Sequence, residues 1–189
     1  MEINEFNAFE KIFKYPDKLD HFFNRFKTLI SIELDITNLC DNNCPICTGV
    51  RDNPVSLTFD QVKKLIDEFA DVFEAKSVII SGGGEPLLHP DFIKILYYIK
   101  NKRLKIGLNS NALALDEKKA KAIIECCSYF RISLDAGTKE MYKMTHGVGE
   151  KMFQKVVNNI KIFTKLKKEL NGKIAFGTGF LTNEMTKPD

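Results

Sequence analysis

From residue 31 onward, short alternating or β-branched runs exchange with stretches of helical period. Ile32, Leu34 and Ile36 alternate with Glu33, Asp35 and Thr37, which predicts a strand over 31–37. Thr58 and Gln61 form a capping box ahead of Val62, Leu65, Ile66, Phe69 and Phe73, which predicts a helix over 58–73. The β-branched run at 77–80 is a second strand. Phe92, Ile95, Leu96 and Ile99 share one face of a helix over 91–102, with Asp91 at its start. The same reading predicts strands over 104–109, 129–134 and 173–178, and helices over 116–125, 138–145 and 151–170. Asn171-Gly172 stops the last helix.

Strand and helix in this alternation build a parallel sheet with right-handed crossovers. An open doubly wound sheet and a barrel-like arrangement both satisfy the pattern. Either one gathers functional groups at the C-terminal ends of the strands. The chemistry-bearing residues stand there: Cys40, Cys44 and Cys47 after the first strand, Gly82-Gly-Gly-Glu-Pro86 after the second, Asn109-Ser-Asn111 after the third, and Ser133 with Asp135 at the end of the fourth.

Residues 1–30 read differently. Phe6, Phe9 and Phe13, then Leu19, Phe22, Phe23, Phe26 and Leu29, fall at helical spacing. They predict an N-terminal helical extension over 1–30 that packs against the core domain of 31–189; a partner-docking helix is the alternative.

Composition narrows the function classes. A chain of 189 residues is read as one core domain, and its net charge of +3 favours neither nucleic acid nor an acidic partner. No long uncharged apolar run predicts a membrane span, and Met1–Phe6 lacks a secretory pattern, so the expected location is cytoplasmic. Five cysteines point to a metal site with spare thiols rather than a disulfide framework. Cys126 and Cys127, on a predicted helix, read as small buried apolar residues.

The remaining cysteines, Cys40, Cys44 and Cys47, follow a C-x3-C-x2-C spacing. A closed structural zinc site takes four protein ligands. His21, His89 and His146 are all distant from the triplet, so an iron–sulfur cluster with one open iron is favoured over zinc.

With Gly82-Gly-Gly-Glu-Pro86 after a second strand, this loop resembles the radical S-adenosylmethionine (radical SAM) superfamily. Ile106-Gly-Leu-Asn-Ser-Asn111 is similar to the third strand of that family, which ends Thr-Asn-Gly, and Phe130-Arg-Ile-Ser-Leu-Asp135 to its fourth. The resemblance runs from about residue 31 to about 184. It implies a partial (β/α) TIM-like barrel of about five to six parallel strands. It also implies a [4Fe–4S] cluster on Cys40, Cys44 and Cys47, with S-adenosylmethionine on the open iron. Cleavage of that cofactor gives a 5′-deoxyadenosyl radical that takes hydrogen from a substrate. Ile46 is then placed near the adenine, Gly82, Gly83 and Gly84 along the methionine moiety, and Glu85 near its amine. Ser133 and Asp135 are placed near the ribose. Asn111 and Ser110 occupy the Thr-Asn-Gly position, where the sequence departs to Ser-Asn-Ala. Arg131 shares the parity of Ser133, and Glu33 and Asp35 point the same way from strand one. They form either an internal ion-pair network or a substrate site. His146, before Gly147, reads as a helix-end residue rather than a catalyst.

The family pattern has six strand–helix units and five strands are found here, so the expectation is a barrel truncated at its C-terminus, either a fragment or a short natural form. Its open edge invites cover by residues 1–30 or by a partner chain. Expected partners are an external low-potential electron donor and a peptide or small-molecule substrate. No membrane is expected, and nucleic acid is disfavoured. The alternatives are a non-catalytic iron–sulfur partner or regulatory subunit, and a zinc-binding interaction module.

Overall fold

The computed structural model describes residues 14–16, 18, 29–49 and 53–182. Five strands form one sheet: β1 (Ser31–Leu34), β2 (Ser77–Ile80), β3 (Lys105–Ser110), β4 (Tyr129–Ser133) and β5 (Ala175–Gly179). Every pairing is parallel, and the spatial order is the chain order. A doubly wound sheet reverses its order at a switch point. This sheet does not, so of the two arrangements the alternation allows, the barrel-like one is observed. Helices α1 (Phe59–Asp67), α2 (Phe92–Asn101), α3 (Glu117–Cys126), α4 (Lys139–His146) and α5 (Lys151–Glu169) lie between the strands in sequence.

The period-2 pattern sorts the sheet into two faces. Leu34, Val78, Ile80, Ile106, Leu108, Phe130 and Ile132 are buried in one core with Val62, Ile66, Ile95, Ile99, Ile123, Val156 and Phe163 from the helices. The opposite, concave parity carries Glu33, Asn109, Arg131 and Ser133. Register aligns Asn109 with Arg131, Arg131 with Gly177, and Ser133 with Gly179.

Two boundaries differ from the sequence reading for physical reasons. The first strand stops at Leu34, short of Thr37. Beyond it, the Ile36 carbonyl accepts from Leu57 N at 2.9 Å and Thr37 bridges Ser56 in antiparallel sense, so the chain swings away from β2. The helix expected over 58–73 opens on Thr58 with both halves of the capping box formed, then widens at Glu68–Val72 into a π-turn closed by Phe73 N on the Glu68 carbonyl. Most of the expected N-terminal extension lies outside the described residues. Of its described residues, Lys18 is buried and pairs with Glu74 at 3.1 Å. No helix among the described residues is long and apolar enough to cross a membrane.

The layer between sheet and helices is clamped by three rings. Phe130 meets Phe163 edge-on at 4.9 Å and stacks on Phe176 at 5.7 Å, and Phe163 lies 4.6 Å from Phe176. Such pairs add to area burial. Phe130→Ala is expected to lower unfolding free energy by about 3–5 kcal/mol, measured by urea denaturation; a loss below about 1 kcal/mol would show that β4 is not clamped from this side.

Candidate functional site

The loop leaving β1 is shaped before it reaches the cysteines. Thr37 Oγ1 accepts from Leu39 N at 3.1 Å, and Asn38 N donates to the Val55 carbonyl at 3.0 Å. Cys47 N closes a turn on the Cys44 carbonyl at 3.1 Å, and Gly49 N donates to Cys47 Sγ at 3.3 Å. Cys40 and Cys44 are half-buried and Cys47 is exposed. All three line a cavity of about 620 Å³. Its wall is completed by Gly82–Gly84, Glu85, Asn109–Asn111, Ser133 and Asp135, so the four clusters expected on one rim do meet. Ile46 is 40% exposed and is not part of that wall.

Glu85 is 2% exposed, and its carboxylate is the hub beneath the cavity. Oε1 accepts from Leu87 N at 3.0 Å and Ser110 Oγ at 2.6 Å, and Oε2 accepts from Asn111 N at 2.7 Å. One residue therefore caps the short 3₁₀ turn Pro86–Leu88 and fastens the end of β3. Burial pushes its pKa up to about 7, against these three donors. The glycine loop is pressed onto the cysteine loop as well. Glu85 N donates to the Leu39 carbonyl at 2.7 Å, and a Cβ on Gly84 would overlap that same carbonyl, so only glycine fits.

Asn111 joins the two loops. Its Oδ1 accepts from Leu113 N at 2.8 Å and its Nδ2 donates to Asp41 Oδ1 at 2.7 Å, with Cys40 Sγ 4.0 Å from the same nitrogen. The departure from Thr-Asn-Gly thus leaves an asparagine that braces the cysteine loop. Ser110 serves Glu85 and accepts from Ala112 N at 2.9 Å.

At the end of β4, the Ser133 carbonyl faces His146 Nε2 at 3.1 Å. A carbonyl only accepts, so Nε2 carries the proton, and Nδ1 in the neutral ring accepts from Thr145 Oγ1 at 2.8 Å. Burial holds the His146 pKa below its ordinary value. The ring stacks on Tyr142 at 4.0 Å, and the His146 carbonyl at the end of α4 accepts from Asn43 N at 2.9 Å. His146 is a helix-end residue, as expected, but it also lines the cavity and pins the cysteine loop. Local pattern marks the helix end; where that end lands is a long-range fact. Asp135 adopts φ 45° and its Oδ1 accepts from Leu181 N at 2.6 Å, which ties it to the chain beyond β5. Cys127 is buried and Cys126 half-buried on α3 and its cap, away from the cavity.

The donor set suits a polynuclear cluster. Three thiols of one loop on the cavity wall are the kind of donor an iron–sulfur cluster takes, while among the described residues no three His, Cys, Asp or Glu side chains stand close enough to hold a single ion.

A half-barrel with a three-cysteine loop on its C-terminal rim defines a class, and the comparisons identify it. The family model of the radical SAM superfamily matches residues 34–185, and the chain belongs to that superfamily. It is 31% identical over 134 residues to a probable GTP 3′,8-cyclase of Methanocaldococcus jannaschii, covering 69% of this chain and 44% of that protein. It is 30% identical over 141 residues to an AdoMet-dependent heme synthase of Methanosarcina barkeri, covering 71% and 39%. The chain thus spans less than half the length of these relatives. Among solved structures, Streptococcus suis SuiB bound to its precursor peptide superposes with a TM-score of 0.66 at 16% identity, covering 85% of this chain and 37% of that one. Native anSMEcpe with bound AdoMet and Cp18Cys peptide gives 0.63 at 19% identity, covering 79% and 42%. At these identities the two structures share the fold.

Glu85 sets a pH test. A carboxyl whose folded pKa lies above its unfolded value of 4.5 contributes stability that is complete below that value and is lost as pH rises toward 7. The unfolding free energy of the wild type minus that of Glu85→Gln is therefore expected to fall by about 1.4 kcal/mol per pH unit between those limits and then level off. Urea titrations of both proteins across that range measure it. A difference that is flat or rises would show that the three donors outweigh burial.

Proposed function

We propose that this chain works as a radical SAM enzyme that binds a [4Fe–4S] cluster and S-adenosylmethionine and removes a hydrogen atom from a peptide or small metabolite. The observation that carries the reading is the meeting of three thiols, the glycine loop and the ends of β3 and β4 on one cavity wall. Cys40, Cys44 and Cys47 would hold the cluster, with S-adenosylmethionine beside it. Bound there, the cluster would supply the electron for reductive cleavage of that cofactor, and an external low-potential donor would recharge it.

The chain's own residues bind and orient. The backbone of Gly82–Gly84 lies open along the wall for the methionine end. Among the described residues, Glu85 Oε1 is filled by two donors, while Oε2 accepts only Asn111 N. A carboxylate oxygen has two acceptor positions, so Oε2 keeps one for the methionine ammonium. Ser133, on the concave face, meets the ribose, and Asp135 orders the strand end beside it. Ile46 covers the adenine from the loop. Asn111 and His146 hold the cysteine loop against β3 and β4.

Anaerobic reconstitution is expected to give a brown protein with about four irons per chain, and dithionite with S-adenosylmethionine is expected to yield 5′-deoxyadenosine. Cys44→Ala is expected to lose both. Zinc bound in place of iron would overturn the proposal, and an intact cluster without 5′-deoxyadenosine would assign the chain to a non-catalytic role.

A further inference from the structure

The concave face carries a cation that the cofactor reading does not use. Arg131 lies on β4 two residues before Ser133, so both side chains leave the same face. The sequence pattern allowed an ion-pair network between Arg131 and Glu33 or Asp35. That network does not form: among the described residues, the Arg131 guanidinium makes no ion pair and no side-chain hydrogen bond, and its charge is felt by the phenol of Tyr129. A surface arginine without a partner is ordinary, but this one is seated in a built recess.

The recess is made by missing side chains on β5. Arg131 pairs in register with Gly177 and Ser133 with Gly179. The guanidinium reaches up the sheet by one row and lies over Gly179, where a Cβ would overlap Nε and Nη2. At Gly177 a Cβ would meet nothing within 4 Å. The head group is thus held level with Ser133 and exposed on the concave side, in ion pair with no carboxylate among the described residues. One row below, the ring of Tyr129 lies in the same way over Gly107, and Asn109, in register with Arg131, donates to Ser81 Oγ at 3.2 Å. These neighbours on β3 and β4 are neutral; the nearest acid on the same face is Glu33 of β1, whose charge acts on Tyr129, and it makes no ion pair with Arg131.

We propose that Arg131, laid across Gly179, is the subsite for an oxyanion of the substrate, a carboxylate or phosphate gripped by the guanidinium fork on the concave face. A planar fork matches both groups bidentately. This assignment rests on the radical SAM reading, because the substrate must lie on the concave face beside the adenosyl group.

The test uses inorganic phosphate and acetate as probes on the full chain, which has four arginines: Arg25, Arg51, Arg103 and Arg131. The Nε–Hε resonance of Arg131, assigned by its loss in Arg131→Lys, is expected to shift saturably with either anion at constant ionic strength, while the other three follow a common shallow slope. Stronger response to phosphate assigns a phosphoryl substrate, and stronger response to acetate a carboxylate. Gly179→Ala is expected to weaken binding about tenfold by displacing the fork, the scale of one charge-assisted pair. Gly177→Ala adds the same methyl to the same strand and is expected to leave binding unchanged. A linear Arg131 response, or equal binding by Gly179→Ala, would overturn the subsite. Equilibrium dialysis of S-adenosylmethionine on the reconstituted protein separates the remaining source. Affinity unchanged in Arg131→Lys assigns the oxyanion to the substrate; a loss of about tenfold assigns it to the cofactor's carboxylate and overturns the proposal. Because the anion titration needs no iron, its failure is distinct from a failure to load the cluster.

Discussion

The buried carboxylate of Glu85 is the joint on which the rim depends. It receives Leu87 N, Ser110 Oγ and Asn111 N, and so ties the glycine loop after β2 to the end of β3. Through Asn111 the same network reaches Asp41, one residue from Cys40. A carboxyl held away from water is costly unless its acceptors are filled. Here the filling itself fixes two loops relative to each other. The cysteine loop has little regular structure of its own and takes its position from these partners.

The second anchor comes from the opposite side. The end of α4 offers the carbonyl of His146 to Asn43 N, and the His146 ring donates to the Ser133 carbonyl. The loop is therefore braced against β3 by Asn111 and against β4 by His146. Loops placed on the C-terminal ends of parallel strands are where such folds put their chemistry, and two braces make the placement rigid enough for a ligand to be read by geometry.

Much of the architecture was legible in the order of residues. Alternating and β-branched runs marked β1 through β5 to within a few positions, and Thr58 with Gln61 marked the start of α1, because these signals are local. The cysteine spacing, the glycine run and the ends of the third and fourth strands pointed to one rim, and the structure brings them to one cavity. What was not legible depends on distant partners. Strand β1 ends early because Ile36 and Thr37 pair with residues 56 and 57 instead of β2. Glu85 looked like a ligand residue alone; its structural role needs Ser110 and Asn111 from another strand. Arg131 was open either to an ion pair with β1 or to a substrate site; its head group turns toward Gly179 of β5, and no pattern along β4 records that direction.

The central claim is that three thiols leave one iron open to the cofactor. Electron paramagnetic resonance of the dithionite-reduced protein, recorded with and without S-adenosylmethionine, tests it most directly. The account predicts a cluster signal whose g-values change when the cofactor is added. An unchanged spectrum, at cofactor concentrations that saturate binding by dialysis, would contradict it.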